Sequence, residues 1–330
     1  MPKISVIMSA YKEPLEWIKE SIDSILNQTF CDFEFIIVDD NPEDKELLAF
    51  LKEYEGKDGR IHILQNEQNK GLPYCLNKAM DHSRGVYIAR MDADDIAMPK
   101  RLSMQYDYLE QHTDILVCGC WARRFGKISF WSDRCYCTPE NYDEIKICAL
   151  FQSPMIHPSV MARREVMVCH KYDESLRKAQ DYDLWCRLIQ AGCKMHNITS
   201  CLLRYRITEK SLSLKARSEQ GRVADDVRSR LLATYGIPHT TDEVLLHNSI
   251  CKCQKCDVDV AEEWVLKLYR FFKRKTPDSI QFLNVFLGSQ WFLFMLLINQ
   301  PFYRFLKSEV PHKLSLGIIL RFVKRFLSIL

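Results

Sequence analysis

The chain has 330 residues, 47% of them hydrophobic and 27% charged. That is the balance of a globular protein able to bury a core, and it excludes a disordered chain. The formal net charge of +3 conceals an asymmetry: residues 1–264 carry 35 Lys or Arg against 41 Asp or Glu, and residues 265–330 carry 11 against 2. A basic tail on a mildly acidic body points to an anionic surface as a partner. Fourteen cysteines invite a disulfide scaffold, but the N-terminus MPKISVIMSAYKE lacks a signal-peptide shape and begins directly with a strand. The thiols are therefore expected to be reduced, mostly buried small hydrophobes of a cytoplasmic protein.

The first 120 residues alternate between two periods. KISVIMSA, FEFIIVDD, RIHILQN, GVYIARMD and DILVCGCWA read as strands. PLEWIKESIDSILNQ, PEDKELLAFLKEY, LPYCLNKAMDHS and PKRLSMQYDYLEQH read as amphipathic helices between them. Near-continuous apolar strands separated by such helices imply a mostly parallel sheet covered on both faces. Ligands of such sheets bind where the strands end. Acidic groups fall at that edge: Asp39 and Asp40 close FIIVDD, and Asp92, Asp94 and Asp95 follow GVYIAR.

No G-x-G-x-x-G follows the first strand and no G-x-x-x-x-G-K-[ST] occurs, so the dinucleotide and P-loop phosphate cradles are both missing. Carboxylates cannot hold phosphate directly, but they can do so through a divalent cation. Mg²⁺ or Mn²⁺ needs one or two protein carboxylates plus substrate phosphates.

The middle of the chain changes character. IHPSVMARREVM reads as a strand turning into a short helix. QDYDLWCRLIQAG is a helix with Asp181 and Asp183 near its start, Leu184, Leu188 and Ile189 as its apolar stripe and Gly192 at its end. CKMHNITSCLLRYRIT supplies one or two strands, and a polar helical region begins near residue 216. The cluster HNSICKCQKC offers His247, Cys251, Cys253 and Cys256 as zinc ligands by type, but not at an established zinc spacing, so free thiols are expected.

Two stretches of the tail are apolar. FLNVFLGSQWFLFMLLI, residues 282–298, has 17 residues interrupted by Asn284, Ser289 and Gln290, short of the roughly 20 needed to span a membrane. LSLGIILRFVKRFLSIL places Arg321, Lys324, Arg325 and Ser328 on one helical face. A basic amphipathic helix of this kind lies in the plane of an anionic membrane; an internal helix with a solvated basic stripe is the alternative. The 13 aromatics that accompany the charge after residue 264 favour lipid over nucleic acid.

The motifs SVIMSAYKE, SILNQTF, FEFIIVDDNPED, NKGLPYCLNKAM, YIARMDADDIAMPKRL and QDYDLWCRL, in this order over residues 1–210, resemble the family 2 glycosyltransferases. These are inverting enzymes with the GT-A fold, here most similar to bacterial enzymes of O-antigen and capsule synthesis. The resemblance implies a GT-A-like mixed, mostly parallel sheet with helices on both faces, plus a helical basic C-terminal region. It divides the chain into a nucleotide-sugar half (1–120), an acceptor and catalytic-base half (121–215) and a C-terminal region (216–330).

It also implies site residues. Asp94 is the direct ligand of Mn²⁺ or Mg²⁺, and Asp92 faces the metal and the donor ribose. Asp40 accepts from the uracil ring, with Ser9, Ala10 and Tyr11 lining the base pocket and Lys70 and Gly71 approaching the nucleotide. Asp181 is the base that deprotonates the acceptor hydroxyl. This chain has Gln180-Asp181 where the family often has Glu-Asp, which removes a neighbouring charge and keeps the base. Asp95 is expected toward the acceptor or behind the metal, and His157 and Trp185 are weaker acceptor-site candidates, with a satisfied structural histidine as the alternative for His157 and a core residue as the favoured reading of Trp185.

Helix capping competes as an explanation for Asp39, Asp40 and one of the three later aspartates. Asp183 is expected to be a first-turn residue favoured by the helix dipole. Arg90 is a candidate ion-pair partner for the aspartates.

The expected activity is transfer of a hexose from a UDP-sugar to a lipid-diphosphate-linked saccharide with inversion. Galactose comes first, then glucose or an N-acetylhexosamine. The expected location is peripheral, on the cytoplasmic face of the inner membrane. Two other readings compete: a metal-dependent nucleotidyltransferase, which would carry a Gly-rich basic loop where SAYKEPLEW stands, and a catalytically silent sugar-nucleotide-binding or assembly protein.

Overall fold

The computed structural model describes residues 1–126, 135–208 and 214–311, with residues 214–220 described by their backbone alone. It divides into two compact units, one of residues 1–145 and 153–224, the other of residues 146–152 and 225 onward.

The first unit is built on a nine-stranded sheet. Its strands are β1 (Ile4–Ala10), β2 (Phe33–Asp39), β3 (Ile61–Gln65), β4 (Tyr87–Asp92), β5 (Ile96–Ala97), β6 (Val117–Gly126), β7 (Cys135–Tyr136), β8 (Met161–Arg163) and β9 (Met195–Ile207). The order is β3-β2-β1-β4-β8-β6-β9-β5, with β7 on β6. Strands β1 to β4 pair in parallel. The three-residue β8 then enters antiparallel between β4 and β6, and β6 and β9 resume in parallel. The sheet is thus mixed and mostly parallel, the α/β architecture the sequence pattern implies.

Helices α1 (Leu15–Leu26), α2 (Lys45–Lys57), α3 (Leu72–His82) and α4 (Arg101–Gln111) alternate with these strands. Ile18, Ile22 and Ile25 of α1 recur at helical spacing and are fully buried with Val6, Met8, Phe35 and Ile37 of the central strands. Burying such side chains is worth about 1.5–3 kcal/mol each, which is what holds a helix of this length on the sheet. Gly85 precedes β4 where no side chain fits, since an added Cβ would lie 2.5 Å from the Ser5 amide nitrogen. Its own N–H donates to Ser5 Oγ at 2.8 Å.

Later come α5 (Tyr142–Ala149), α6 (Arg164–His170) and α7 (Gln180–Gln190). One expectation about cysteine is corrected: Cys135 and Cys201 form a disulfide, with Cα atoms 6.5 Å apart. Strand β6 pairs with both β7 and β9 and so brings the two together. The other twelve cysteines form no disulfide.

The second unit contains α8 (Leu214–Thr234, shared with the first), α9 (Thr241–Cys251), α10 (Val258–Lys275), α11 (Ile280–Leu297) and α12 (Phe302–Lys307). Thr240 and Glu243 close a reciprocal capping box at the start of α9. Trp264, Leu268, Phe272, Leu287, Trp291, Phe294 and Phe305 form its buried interior. The apolar segment 282–298 falls on α11. With the preceding turn, Pro277–Leu297 is long and apolar enough to cross a membrane by length and composition, although 39% of its apolar window is buried within the protein. The basic amphipathic segment bearing Arg321, Lys324, Arg325 and Ser328 lies outside the described residues.

Candidate active site

Strands β1, β2 and β4 end side by side. Their register sets Ser9 opposite Asp92 and Ala10 opposite Asp39, so both acidic segments meet at the carboxyl edge of the sheet. There they are treated differently.

Asp40 is buried and accepts four hydrogen bonds: Asn66 Nδ2 at 2.8 Å, Lys70 N at 2.8 Å, Asn69 Nδ2 at 2.9 Å and Gly71 N at 2.9 Å. Asp39, also buried, accepts from Asn41 N at 2.9 Å and Gln65 Nε2 at 3.0 Å. Four donors fill the roughly four acceptor positions of a carboxylate. Asp40 therefore clamps the 66–71 loop, and a base N–H reaches it only in exchange for one of them. Gly71 occupies a backbone φ of +90° at the start of α3, where an L side chain is strained.

Asp92, Asp94 and Asp95 have much less compensation. One carboxylate oxygen from each lies within 4.8 Å of the others. The turn is held by its backbone: Ser21 Oγ donates to Asp92 O at 2.8 Å, and Arg206 Nε to Asp94 O at 2.6 Å. Arg206, on β9, also donates its amide to Asp95 Oδ1 at 2.7 Å, pairs with Glu20 and lies 4.7 Å from the Trp17 ring centre and 4.4 Å from that of Phe125. Arg90 is buried and paired with Asp92. Burial, then the charges of Asp92 and Glu13, push the Asp94 carboxyl up to about 7, against a smaller opposing pull from Arg90. Burial, then the charges of Asp92 and Asp94, push Asp95 well above the ordinary range, and its Oδ2 has no partner among the described residues.

Three oxygen donors crowded beyond what one guanidinium can neutralise fit a hard divalent cation. Asp92 and Asp94 would hold it from the cleft side. Of the two places expected for Asp95, its full burial fits the one behind these ligands rather than one toward the acceptor.

Asp181 lies on the first turn of α7, where Ser153 Oγ approaches its Oδ2 at 3.4 Å. It shares one cleft with Arg90, Asp92, His157, Arg177 and Tyr205. Burial raises its carboxyl above the usual aspartate range, only partly offset by the Tyr182 amide and Arg90. A poised carboxylate in a cleft suits a general base. Asp183 lies in the first turn as expected, and it is also buried and pairs with Arg187 at 2.8 Å. Arg187 in turn donates to the His170 carbonyl and, at 2.7 Å, to that of Lys171. Asp183 thus fastens α7 to the end of α6.

Other expectations divide. Ser9, Tyr11 and Gly71 line a cleft with Asp40, Asp92, Asp94, Glu13, Asn69 and Arg177. Ala10 does not, being fully buried, and contributes its carbonyl to the Asp40 amide at 2.9 Å. The Lys70 side chain turns away, its ammonium 5.8 Å from the Tyr74 ring centre. His157 lines the Asp181 cleft, with Nε2 2.8 Å from the Tyr172 hydroxyl. Burial first, then Arg90, holds its pKa far down, so the imidazole is neutral. Trp185 is fully buried, which excludes a sugar platform and leaves the core reading.

His247 has Nε2 2.8 Å from the Leu150 carbonyl and takes a hydrogen bond from Trp264 at Nδ1, 3.1 Å away. Both nitrogens are committed, and among the described residues the aspartate trio is the only metal-ligand group. The residues missed in the sequence are Asn66 and Asn69, whose clamp is visible only once the loop closes, and Arg206, 111 residues beyond Asp95.

Fold and site together define a glycosyltransferase of the GT-A type, with a mixed sheet that delivers clustered aspartates to its carboxyl edge. Residues 5–169 match the family model for glycosyl transferase family 2, and the chain belongs to that family. It is 41% identical over 219 residues to an uncharacterized glycosyltransferase of Methanocaldococcus jannaschii, covering 66% of this chain and 76% of that protein. It is 34% identical over 216 residues to the O-antigen biosynthesis glycosyltransferase WbnJ of Escherichia coli, covering 64% and 83%. The fold is similar to that of residues 1–349 of S. aureus TarS, solved in complex with UDP-GlcNAc. The TM-score is 0.58 at 16% identity, over 90% of this chain and 87% of that one.

Proposed function

We propose that this glycosyltransferase is a divalent-cation-dependent, inverting hexosyltransferase. It moves a hexose, galactose first among the candidates, from a UDP-sugar to a saccharide carried on a lipid diphosphate and leaves a β-linkage in a surface polysaccharide. One observation carries the reading: the under-neutralised Asp92–Asp94–Asp95 group and the elevated Asp181 carboxyl occur around one cleft system, since Asp92 lines the cleft of each. These are the two jobs that inversion requires.

Asp181 takes the proton from the acceptor hydroxyl. The freed oxygen pair forms the bond to the anomeric carbon on the face opposite the leaving group. The bond from that carbon to the diphosphate oxygen breaks, and its electron pair stays on the departing UDP. Asp92 and Asp94 hold Mn²⁺ or Mg²⁺, which when bound supplies positive charge to the diphosphate. Arg90 keeps Asp92 in place, and Arg206 fixes the backbone of the aspartate turn.

The relation to an O-antigen enzyme supports the choice of acceptor class. Attachment to an anionic membrane is supported by α12, where Phe302, Tyr303 and Leu306 are exposed beside Arg304 and Lys307. Aromatics and cations side by side are the composition of an interfacial anchor.

The test is purified protein against a panel of UDP-sugars with a lipid-diphosphate-linked saccharide, with Mn²⁺ or with chelator. One UDP-sugar should give product and free UDP only when the cation is present. Full transfer in chelator would overturn the role of the aspartates, and no transfer from any nucleotide sugar would favour a silent binding protein.

A further inference from the structure

Arg177 sits in the segment between α6 and α7, four residues before Asp181, and lines both clefts: the one with Ser9, Tyr11 and Asp94 and the one with His157 and Asp181. In the first of these, the other charged lining residues are Glu13, Asp40, Asp92 and Asp94, all carboxylates. Arg177 is exposed and, among the described residues, makes no hydrogen bond or ion pair. Of the arginines around it, Arg187 pairs with Asp183 and Arg206 with Glu20, while Arg90, which pairs with Asp92, and Arg124 line the second cleft but not the first.

The segment that carries Arg177 is nevertheless placed. The Tyr172 amide donates to Asn77 Oδ1 at 2.9 Å, the Ser175 amide to Asp173 Oδ1 at 2.9 Å and the Leu176 amide to the Asp173 carbonyl at 3.1 Å. Beyond it, Ala179 opens α7 at a φ of +55°.

Charge decides what Arg177 is for. A divalent cation held by Asp92 and Asp94 makes a formally neutral unit, and Glu13 and Asp40 add further negative charge to the first cleft. A diphosphate entering there brings more, and among the described residues the one cationic side chain lining that cleft is Arg177. A guanidinium presents a fork of donors matched to phosphate oxygens.

We infer that Arg177 is a diphosphate-binding residue of this site, an inference that rests on the glycosyltransferase reading above. Its ligand chemistry is a diphosphate ester, which has two sources here, the nucleoside diphosphate of the donor and the diphosphate of a lipid-linked acceptor.

The full-length protein is titrated calorimetrically with UDP and with UMP in Mn²⁺, as wild type, Arg177→Gln and Arg177→Lys. Transfer is then measured to a saccharide on a lipid diphosphate and to the same saccharide on an uncharged alkyl chain. If the donor is the source, Arg177→Gln weakens UDP by about tenfold or more, leaves UMP unchanged, and Arg177→Lys recovers part of the loss. If the acceptor is the source, UDP affinity is unchanged. Arg177→Gln then raises KM about tenfold for the diphosphate acceptor alone, abolishing the preference over the alkyl one. Unchanged UMP binding certifies the fold in either case. A wild type that binds UDP, matched by Arg177→Gln in both arms, overturns the assignment of Arg177 alone. A wild type that binds no UDP overturns the donor reading and this inference with it.

Discussion

Two acidic segments end β2 and β4, the strands that flank β1 in one sheet, yet they have opposite fates. Asp39 and Asp40 are buried and accept six hydrogen bonds between them. Asp92, Asp94 and Asp95 share one ion pair with Arg90 and one amide from Arg206. Burial first, and then mutual repulsion, raises two of the three carboxyls. Residue type and place in the sheet are the same, so neither reveals the function. The donors that reach each group do. A saturated carboxylate organises a loop, and an under-compensated one is kept for a partner that the chain does not supply.

Asp181 belongs to the under-compensated class, and it carries the largest expected effect. Asp181→Asn preserves the shape and removes the basicity, so transfer should fall by roughly 10²–10⁴-fold with UDP binding nearly unchanged. The pH profile gives the sign. The base must be ionised, so kcat/KM should fall as pH is lowered through the elevated Asp181 pKa, and at a higher pH than an ordinary aspartate near 3.9 would give. Stability runs the other way. A carboxyl whose folded pKa is raised contributes stability below the unfolded value and loses it as pH rises through the folded value. An acid limb that stays in place in Asp181→Asn would assign the titration to another group.

Asp94→Ala comes next. Transfer should drop by about 10²–10³-fold, excess Mn²⁺ should not restore it, and chelation of the wild type should reproduce it. The melting temperature should hold or rise, since the substitution relieves repulsion. A large loss of stability at 94 would erase the contrast with Asp40.

Asp40→Asn tests the other side. It replaces a charged acceptor of four donors with an amide that accepts at one end only. About 2–3 kcal/mol of stability should be lost, read as a lower urea midpoint. Any activity that remains should follow the folded fraction. A stable Asp40→Asn with selectively weakened UDP binding would instead restore direct contact with the base.

Much of this was legible in the sequence, for a physical reason. Strand and helix periods, and acids at strand ends, are local patterns, so β1 to β4, their helices and the positions of Asp40, Asp92, Asp94 and Asp181 could be read directly. What could not be read depends on register and closure. Ala10 and Ser9 are neighbours, but the pleat sends one into the core and the other to the cleft. Asp183 looks like a solvated first-turn acid until Arg187 and the end of α6 close over it. Trp185 reads as core first and platform second, and its burial leaves the core alone. Arg206 reaches the aspartate turn only because β5 pairs with β9.

The smallest expected effect concerns backbone, and it sharpens the same contrast. The Asp40 clamp uses glycine at its positive φ, Gly71 at +90°, whereas the turn before the base uses alanine, Ala179 at +55°. An L residue in the left-handed region costs roughly 1–2 kcal/mol. Glycine at 179 would relieve that cost and lose about 0.4–1 kcal/mol to the greater freedom of the unfolded chain. Ala179→Gly should therefore change stability by between about 0 and about 1.6 kcal/mol, toward stabilisation. Its effect on catalysis should have the opposite sign. Alanine at this angle narrows the directions in which Asp181 can be presented to the acceptor, and misplacement at a reacting group is costly. Several-fold lower kcat with unchanged UDP affinity and an equal or higher melting temperature is the expected result. Gly71→Ala, its counterpart, should be destabilising, because φ +90° with ψ 160° is a conformation essentially reserved for glycine whose strain of about 1–3 kcal/mol exceeds the gain from a less free unfolded chain. Equal kcat in Ala179→Gly would mean that side-chain contacts such as Ser153 alone hold the base.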